Sequence, residues 1–123
     1  MPVCPTVISL RVAEYAPEGL ARGALASTHM PTGSITVYYD RLEPIVRAWP
    51  RLAPALLSHV FAHEIAHVLQ SRKQHSETGI LKAFWNREDF LTMLSQRFFF
   101  TPSDADEIRA GVANSCRNPR HTE

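Results

Sequence analysis

His63, Glu64 and His67 are the residues whose types and spacing could do chemistry. Residues four apart leave an α-helix from one face, so the two imidazole rings would lie one above the other. That spacing lets both rings bind one Zn²⁺ ion, while Glu64, about a quarter turn round the helix, can reach a water molecule beside the metal. The carboxylate can take a proton from this water as it attacks a carbonyl group. The pattern therefore predicts a zinc hydrolase.

The sequence around this motif predicts a long and largely buried helix from about residue 53 to residue 72. Apolar side chains would cover most of its surface: Leu56, Leu57, Val60, Phe61, Ile65, Val68 and Leu69. Ionisable groups on a buried helix need partners, because burial without a partner is costly. A metal ion satisfies that need, whereas in the alternative interpretation the two histidines face solvent on an amphipathic helix.

A catalytic zinc site needs a third protein ligand and leaves its fourth position to water. His75 lies eight residues past His67, beyond the expected end of the helix, where the chain can turn back. Glu88, 21 residues past His67, is the alternative ligand, although it could instead stabilise the N-terminus of its own predicted helix. His59 precedes His63 by one turn, too early to share the metal, and is expected to be a partly buried or rim residue. The sequence favours His75 and leaves Glu88 open.

Strands are predicted before the motif and helices around and after it. Residues 6–15 and Ser34–Tyr39 alternate in the manner of strands, and a third, short strand is expected within residues 20–33, because two strands make a poor independent sheet. Besides the central helix, three helices are predicted: one capped by Asp40 that runs to about residue 48, one capped by Asn86 that covers about 87–96, and one that begins at Thr101-Pro102 and ends near residue 112. Strands followed by helices predict an α+β fold.

Composition limits the other possibilities. A chain of 123 residues is expected to form one compact domain, 1–123, with a polar tail from about residue 114. A net charge of +1 gives no argument for nucleic acid, and no run of 18 apolar residues predicts a membrane span. The first residues do not resemble a signal peptide, so a secreted or periplasmic location would require that one had been removed; otherwise we expect a cytoplasmic protein. Cys4 and Cys116 could form a disulfide that joins the termini or remain two free thiols.

A resemblance to a known family adds to this interpretation. The motif at 63–67 is followed by His75-Ser76 and then by Gly79-Ile80-Leu81. This run resembles the metzincin zinc peptidases, particularly their matrixin-like branch, whose motif is His-Glu-x-x-His-x-x-Gly-x-x-His, often with Ser next and then a Met-containing turn. A wider likeness to small bacterial zincin-like proteins covers roughly residues 34–112. It is carried by Tyr38-Tyr39-Asp40-Arg41, Lys82-Ala83-x-Trp85 and Phe100-Thr101-Pro102.

The resemblance implies a zincin-like metallopeptidase with one Zn²⁺ per chain and a peptide or protein substrate. The ligands would be His63, His67 and His75, Glu64 would be the general base, and Ile80-Leu81 would form the turn beneath the metal. Three departures from the family pattern stand out. First, Gln70 replaces the motif glycine, and two extra residues separate His67 from His75. Second, Leu81 replaces the methionine of the turn. Third, the N-terminal half is short and lacks the usual first long helix.

Substrate binding is expected at the sheet. If Ser34–Tyr39 is the edge strand above the metal, its free backbone groups could pair with an extended peptide. Tyr38 or Tyr39 could stabilise an oxyanion, or could simply pack, and the aromatic run 98–100 could belong to the core or to a specificity pocket. Two further functions use the same metal motif. One is a zinc-binding protein that binds a peptide or partner with little or no cleavage, and the other is a zinc amidase that acts on non-peptide amides.

Overall fold

Three strands precede four α-helices in the computed structural model, which describes residues 7–30 and 32–117. The strands are β1 (Ser9–Ala13), β2 (Ala26–His29) and β3 (Ser34–Tyr38), and the helices are α1 (Tyr39–Ala48), α2 (Ala53–Gln70), α3 (Arg87–Met93) and α4 (Pro102–Arg117). A short 3₁₀ turn, Pro50–Leu52, leads into α2. The predicted α+β class is therefore confirmed. The possible disulfide involves Cys4, which lies outside the described residues.

The strands form one sheet in the order β1-β3-β2, with β1 parallel and β2 antiparallel to β3. The predicted third strand is confirmed as β2. The expectation that residues 34–39 form the sheet edge is wrong, because β3 is the central strand. A tight connection folds β2 back onto one side of β3, with Gly33 at a φ of 69° and its N–H donating to the carbonyl of His29. Since β1 occupies the other side, β2 is the edge strand on the side of α2.

Helix α2 provides the largest contribution to the core. It ends at Gln70, two residues before the predicted end, because Ser71 adopts the left-handed conformation with a φ of 61°. The main apolar cluster joins the sheet to α1, α2 and α3 and contains Ala26, Val37, Leu42, Leu52, Leu56, Val60 and Met93. The His63-Glu64-x-x-His67 motif therefore lies on an element that is firmly held by packing.

One segment of the described chain, Pro50–Gln70, is long and apolar enough to cross a membrane by length and mean hydropathy alone. Half of its apolar stretch is buried inside the protein, and core helices of water-soluble proteins have the same length and hydropathy. The expected absence of a membrane span stays a prediction.

The caps of the later helices agree well with the sequence. Asn86 and Asp89 form a reciprocal capping box at the start of α3. Thr101 and Asp104 do the same for α4, with distances of 3.0 and 3.1 Å. Their C-terminal ends differ from the prediction, since α3 stops at Met93 and α4 continues to Arg117.

The predicted cap of α1 is wrong. This helix begins at Tyr39, with Tyr38 in the capping position and no side-chain cap. The carboxylate of Asp40 instead accepts a hydrogen bond from the N–H of Ala16 at 3.0 Å. Asp40 therefore connects α1 to the segment that follows β1.

Helices α2 and α4 approach each other closely at Gly111. A Cβ atom at this position would lie 2.2 Å from the carbonyl oxygen of Leu69 and 2.7 Å from the Cα of Gln70. These atoms belong to the backbone of α2, so neither can move away as the end of a flexible side chain would. The glycine is therefore required by the packing of the two helices.

We predict that Gly111→Ala lowers the free energy of unfolding by about 1–3 kcal/mol through this overlap. Helix propensity alone would raise it by about 1 kcal/mol, so the sign of the change separates the two effects. Asn114→Ala, an exposed change on the same helix, is the matched control and should stay within about 0.5 kcal/mol. Urea unfolding followed by circular dichroism measures both. A higher unfolding midpoint for Gly111→Ala would contradict the close contact.

Candidate metal centre

His63 and His67 lie on one face of α2, with ring centroids 4.8 Å apart and exposures of only 7% and 2%. Each ring is held through its Nδ1 atom by a backbone carbonyl, that of Ile80 at 2.7 Å for His63 and that of Arg72 at 3.2 Å for His67. A nitrogen that faces a carbonyl must carry the proton and donate. In the neutral ring the Nε2 lone pair is then left to bind a metal.

The loop after α2 brings His75 to the same place. Its ring centroid lies 5.3 Å from that of His63 and 4.9 Å from that of His67. One ligand atom from each of the three rings lies within 4.8 Å of the others, close enough for a single metal ion. The structure thus brings together all three histidines that the sequence nominated.

The conformation after α2 accounts for the eight-residue step to His75. The chain leaves the helix at Ser71, whose N–H donates to Val68, while the N–H of Arg72 donates to the carbonyl of His67 at 3.2 Å. These bonds satisfy carbonyl groups that the last turn would otherwise leave unpaired. The chain therefore changes direction at Ser71, directly after the last helical residue, Gln70. The residues between Ser71 and His75 then lead back to the other two histidines.

The loop that carries His75 is fastened to α4. The hydroxyl of Ser76 donates to the carboxylate of Asp104, a residue that is only 4% exposed. Farther along, the N–H of Ile80 donates to the carbonyl of Phe99 at 3.1 Å. The Ile80-Leu81 turn lies against His63, since the Ile80 carbonyl is the acceptor of that ring. The start of α4 thus fixes both the third histidine and the turn.

Glu64 is buried beside the histidines with an exposure of 8%. Its Oε1 atom accepts a hydrogen bond of 2.6 Å from the hydroxyl of Thr28 on β2, and its Oε2 atom lies 3.8 Å from Nε2 of His63. Burial raises the pKa of Glu64, while the Thr28 hydrogen bond and the charges of Lys73 and His75 act in the opposite direction. The carboxylate therefore occupies a desolvated position suited to accepting a proton.

Burial also keeps the histidines neutral. It lowers the pKa of His63, although the hydrogen bond to the Ile80 carbonyl opposes the effect. Burial, together with the adjacent His63 and His75, lowers the pKa of His67 to about 4. Burial lowers that of His75 as well. At neutral pH the cluster thus holds three unprotonated rings, the form that a metal requires.

A cleft of about 270 Å³ opens onto this cluster. Its floor is the face of α2 that carries Val60, His63, Glu64 and His67. One wall is formed by residues 20–28, which include part of β2, and the other by Lys82–Trp85. Most of the cleft surface is apolar. Its polar lining comes from the three histidines, Glu64, Ser27, Thr28, Lys73 and Lys82. Such a cleft can accept an apolar group beside the histidine cluster.

Arg41 holds the wall before β2 in place. Its guanidinium group donates to the carbonyls of Ala21 and Ala24 at 3.0 Å and to that of Leu20 at 3.3 Å. Carbonyls in an irregular segment need such donors because no strand partner satisfies them. Sequence reasoning placed Arg41 in the wider family likeness without giving it a role. Local spacing could not reveal one, since its partners are 17 to 21 residues away.

Two other ionisable candidates lie elsewhere. Glu88 is exposed in the first turn of α3 and is not part of the histidine cluster. His59 is more deeply buried than expected, and both ring nitrogens are used by the fold. Nδ1 donates to the carbonyl of Ala55 at 2.6 Å, and Nε2 accepts from the N–H of Phe98 at 3.0 Å. His59 therefore ties α2 to the segment that precedes α4.

The aromatic candidates do not line the cleft either. Tyr38 is buried with its hydroxyl 2.6 Å from that of Ser27, and Tyr39 is half exposed at the start of α1. Phe98 packs against the core, whereas Phe99 is 68% exposed. Among the described residues, the aromatic side chains that do line the cleft are Phe84 and Trp85.

The chain was compared with protein-family models, with curated proteins and with solved structures, and none of them matched. The features of this chain that bear on its function are therefore the three histidines, the buried glutamate and the cleft that joins them.

Proposed function

We propose that this protein is a zinc-dependent metallopeptidase. The observation that carries the proposal is the convergence of three neutral histidines beside a buried carboxylate at the floor of an open cleft. Imidazole ligands suit several transition metals, of which Zn²⁺ is the common choice for hydrolysis without redox chemistry. Three protein ligands would leave one coordination position open, as catalytic zinc sites require.

His63 and His67 would hold the metal through the Nε2 atoms that the backbone carbonyls leave free, and His75 through one of its ring nitrogens. The bound ion would supply Lewis acidity, polarising the scissile carbonyl group and making a water molecule acidic near neutral pH. Two of the three rings are fixed by hydrogen bonds to Ile80 and Arg72, so the site is largely organised before the metal binds. This arrangement reduces the cost of ordering the ligands.

Glu64 would act as the general base. With Oε1 engaged by Thr28, Oε2 is the atom free to accept a proton from the attacking water. The same atom would then deliver that proton to the nitrogen of the leaving amine. Burial favours this role, because a raised pKa makes the carboxylate a stronger base than an exposed one.

The edge strand β2 is the proposed place for the substrate backbone. It pairs with β3 on one side, and its residues Ala26, Ser27 and Thr28 line the cleft. An extended peptide could add to the other side of β2 through main-chain hydrogen bonds. A substrate side chain could then lie against Leu20, Phe84 and Trp85. The pairing with a substrate backbone that was first expected of residues 34–39 is therefore assigned to the neighbouring strand, β2.

We predict that the purified protein binds one Zn²⁺ per chain. Replacing His75 by Ala should weaken binding by more than about a hundredfold, because removing a direct ligand costs more than removing a supporting residue. Glu88→Gln and His29→Gln, both exposed, should leave the affinity unchanged. Elemental analysis and competition with a chromophoric chelator measure these effects. A protein that ignores added zinc would refute the site, and weakened binding in Glu88→Gln alone would reassign the third ligand.

We further predict that Glu64→Gln retains zinc but reduces peptide cleavage by about 10²- to 10⁴-fold, because the amide cannot accept the proton. Cleavage of unfolded proteins and peptide libraries can be followed by mass spectrometry, with Glu88→Gln as the carboxylate control. Retained cleavage by Glu64→Gln would reassign the base. If the zinc-loaded protein binds peptides without cutting them, the protein is a peptide-binding module, and hydrolysis confined to non-peptide amides would make it an amidase.

A further inference from the structure

Thr28 and Glu64 form a contact that joins the edge strand to the helix of the motif. Their hydrogen bond of 2.6 Å is buried and connects residues 36 positions apart. Thr28 is 3% exposed and lies opposite Ile35 in the sheet, on the face that packs against α2. A short hydrogen bond to a carboxylate in a dry environment is among the stronger ones that a hydroxyl can make.

The geometry gives the two carboxylate oxygens different surroundings. Thr28 occupies Oε1, whereas Oε2 lies 3.8 Å from Nε2 of His63, on the side of the histidine cluster. The terminal torsion of a glutamate side chain is broad and does not by itself select one orientation. A fixed donor on one oxygen therefore determines which way the other oxygen faces.

We propose that Thr28 is a positioning residue, which holds Glu64 by Oε1 so that Oε2 faces the reacting water at the histidine cluster. The inference rests on the proposed function of Glu64 as the base. The hydroxyl of Thr28 touches neither metal nor substrate in this role and acts only through the carboxylate. Because Thr28 belongs to β2, the strand proposed to bind the substrate backbone also orients the base. The scissile carbonyl and the carboxylate that activates the attacking water would then both be positioned by the same rigid strand, β2.

The first test removes the hydroxyl while keeping the shape. Thr28→Val should lower kcat on a cleaved library peptide about tenfold to a hundredfold, the range expected for a lost hydrogen bond to a charged group, and should leave KM within about twofold. Thr28→Ser keeps the donor and should restore kcat to within about threefold of the wild type. Zinc content should be the same in all three proteins.

Thr36→Val is the matched control. It makes the same substitution on β3, at a residue that pairs with Ser27 but does not itself line the cleft. It should leave kcat, KM and zinc content unchanged. Unfolding midpoints of every variant identify any loss that comes from the fold, and Thr28→Ala provides a second variant without the hydroxyl if Thr28→Val does not fold.

The second test does not depend on turnover. Acetohydroxamate binds zinc in such sites and offers a proton to an adjacent base, so its affinity for the zinc-loaded protein reports the orientation of Glu64. Thr28→Val should weaken the binding of acetohydroxamate about tenfold when Glu64 is present. It should have no effect in a protein that also carries Glu64→Ala. This double-mutant cycle isolates the contact between the two side chains.

The outcomes separate the two proposals. If the wild type cleaves no peptide but the cycle shows coupling, the peptidase proposal fails and the positioning role of Thr28 stands. If cleavage occurs but Thr28→Val retains full kcat, the positioning role is overturned while the peptidase proposal stands. Equal weakening of acetohydroxamate with and without Glu64 would also overturn it, because the threonine would then support the site only as part of the fold.

Discussion

The burial of three ionisable side chains on α2 is the constraint on which the rest of the structure depends. His63, Glu64 and His67 are each less than one tenth exposed, on a helix that also buries Leu56, Val60, Ala66 and Val68 in the core. Groups desolvated to this degree need polar partners, because burial alone would cost several kcal/mol for each of them. Every one of them has such a partner, and each partner comes from a different element of the fold.

Those partners explain why the surrounding elements lie where they do. The Arg72 carbonyl, supplied by the reversal after α2, holds His67, and the Ile80 carbonyl, supplied by the turn before α3, holds His63. The hydroxyl of Thr28 brings β2 against Glu64. The Ile80 turn is tied to Phe99, before α4, and Ser76 in the loop that carries His75 is tied to Asp104. The polar network therefore extends to the last helix. Satisfied networks of this kind make a local arrangement rigid.

Features governed by neighbouring residues could be predicted, and features governed by distant pairing could not. The apolar periodicity predicted α2, the capping patterns predicted the starts of α3 and α4, and the spacing of His63, His67 and His75 predicted the cluster. The edge position considered for residues 34–39 was wrong, because an alternating strand carries the same pattern in the centre of a sheet as at an edge. The roles of Thr28 and Arg41 could not be predicted from neighbouring residues either. The partner of Thr28 lies 36 residues away, and Arg41 binds backbone carbonyls 17 to 21 residues away. The cap expected at Asp40 failed because its carboxylate found a partner outside the helix.

The corrected sheet order strengthens the connection between the fold and the proposed chemistry. With β3 in the centre, both of its sides are occupied and it has no free groups for a ligand. With β2 at the edge, the same four-residue strand lines the cleft and carries the donor to Glu64, and within residues 7–30 and 32–117 no further strand pairs with its outer side. If the donor to Glu64 lay on the central strand, it would be about 5 Å, the spacing of adjacent strands, farther from the strand that binds the substrate backbone. The short strand between residues 26 and 29 is therefore the element through which a bound peptide and the carboxylate would be brought into register.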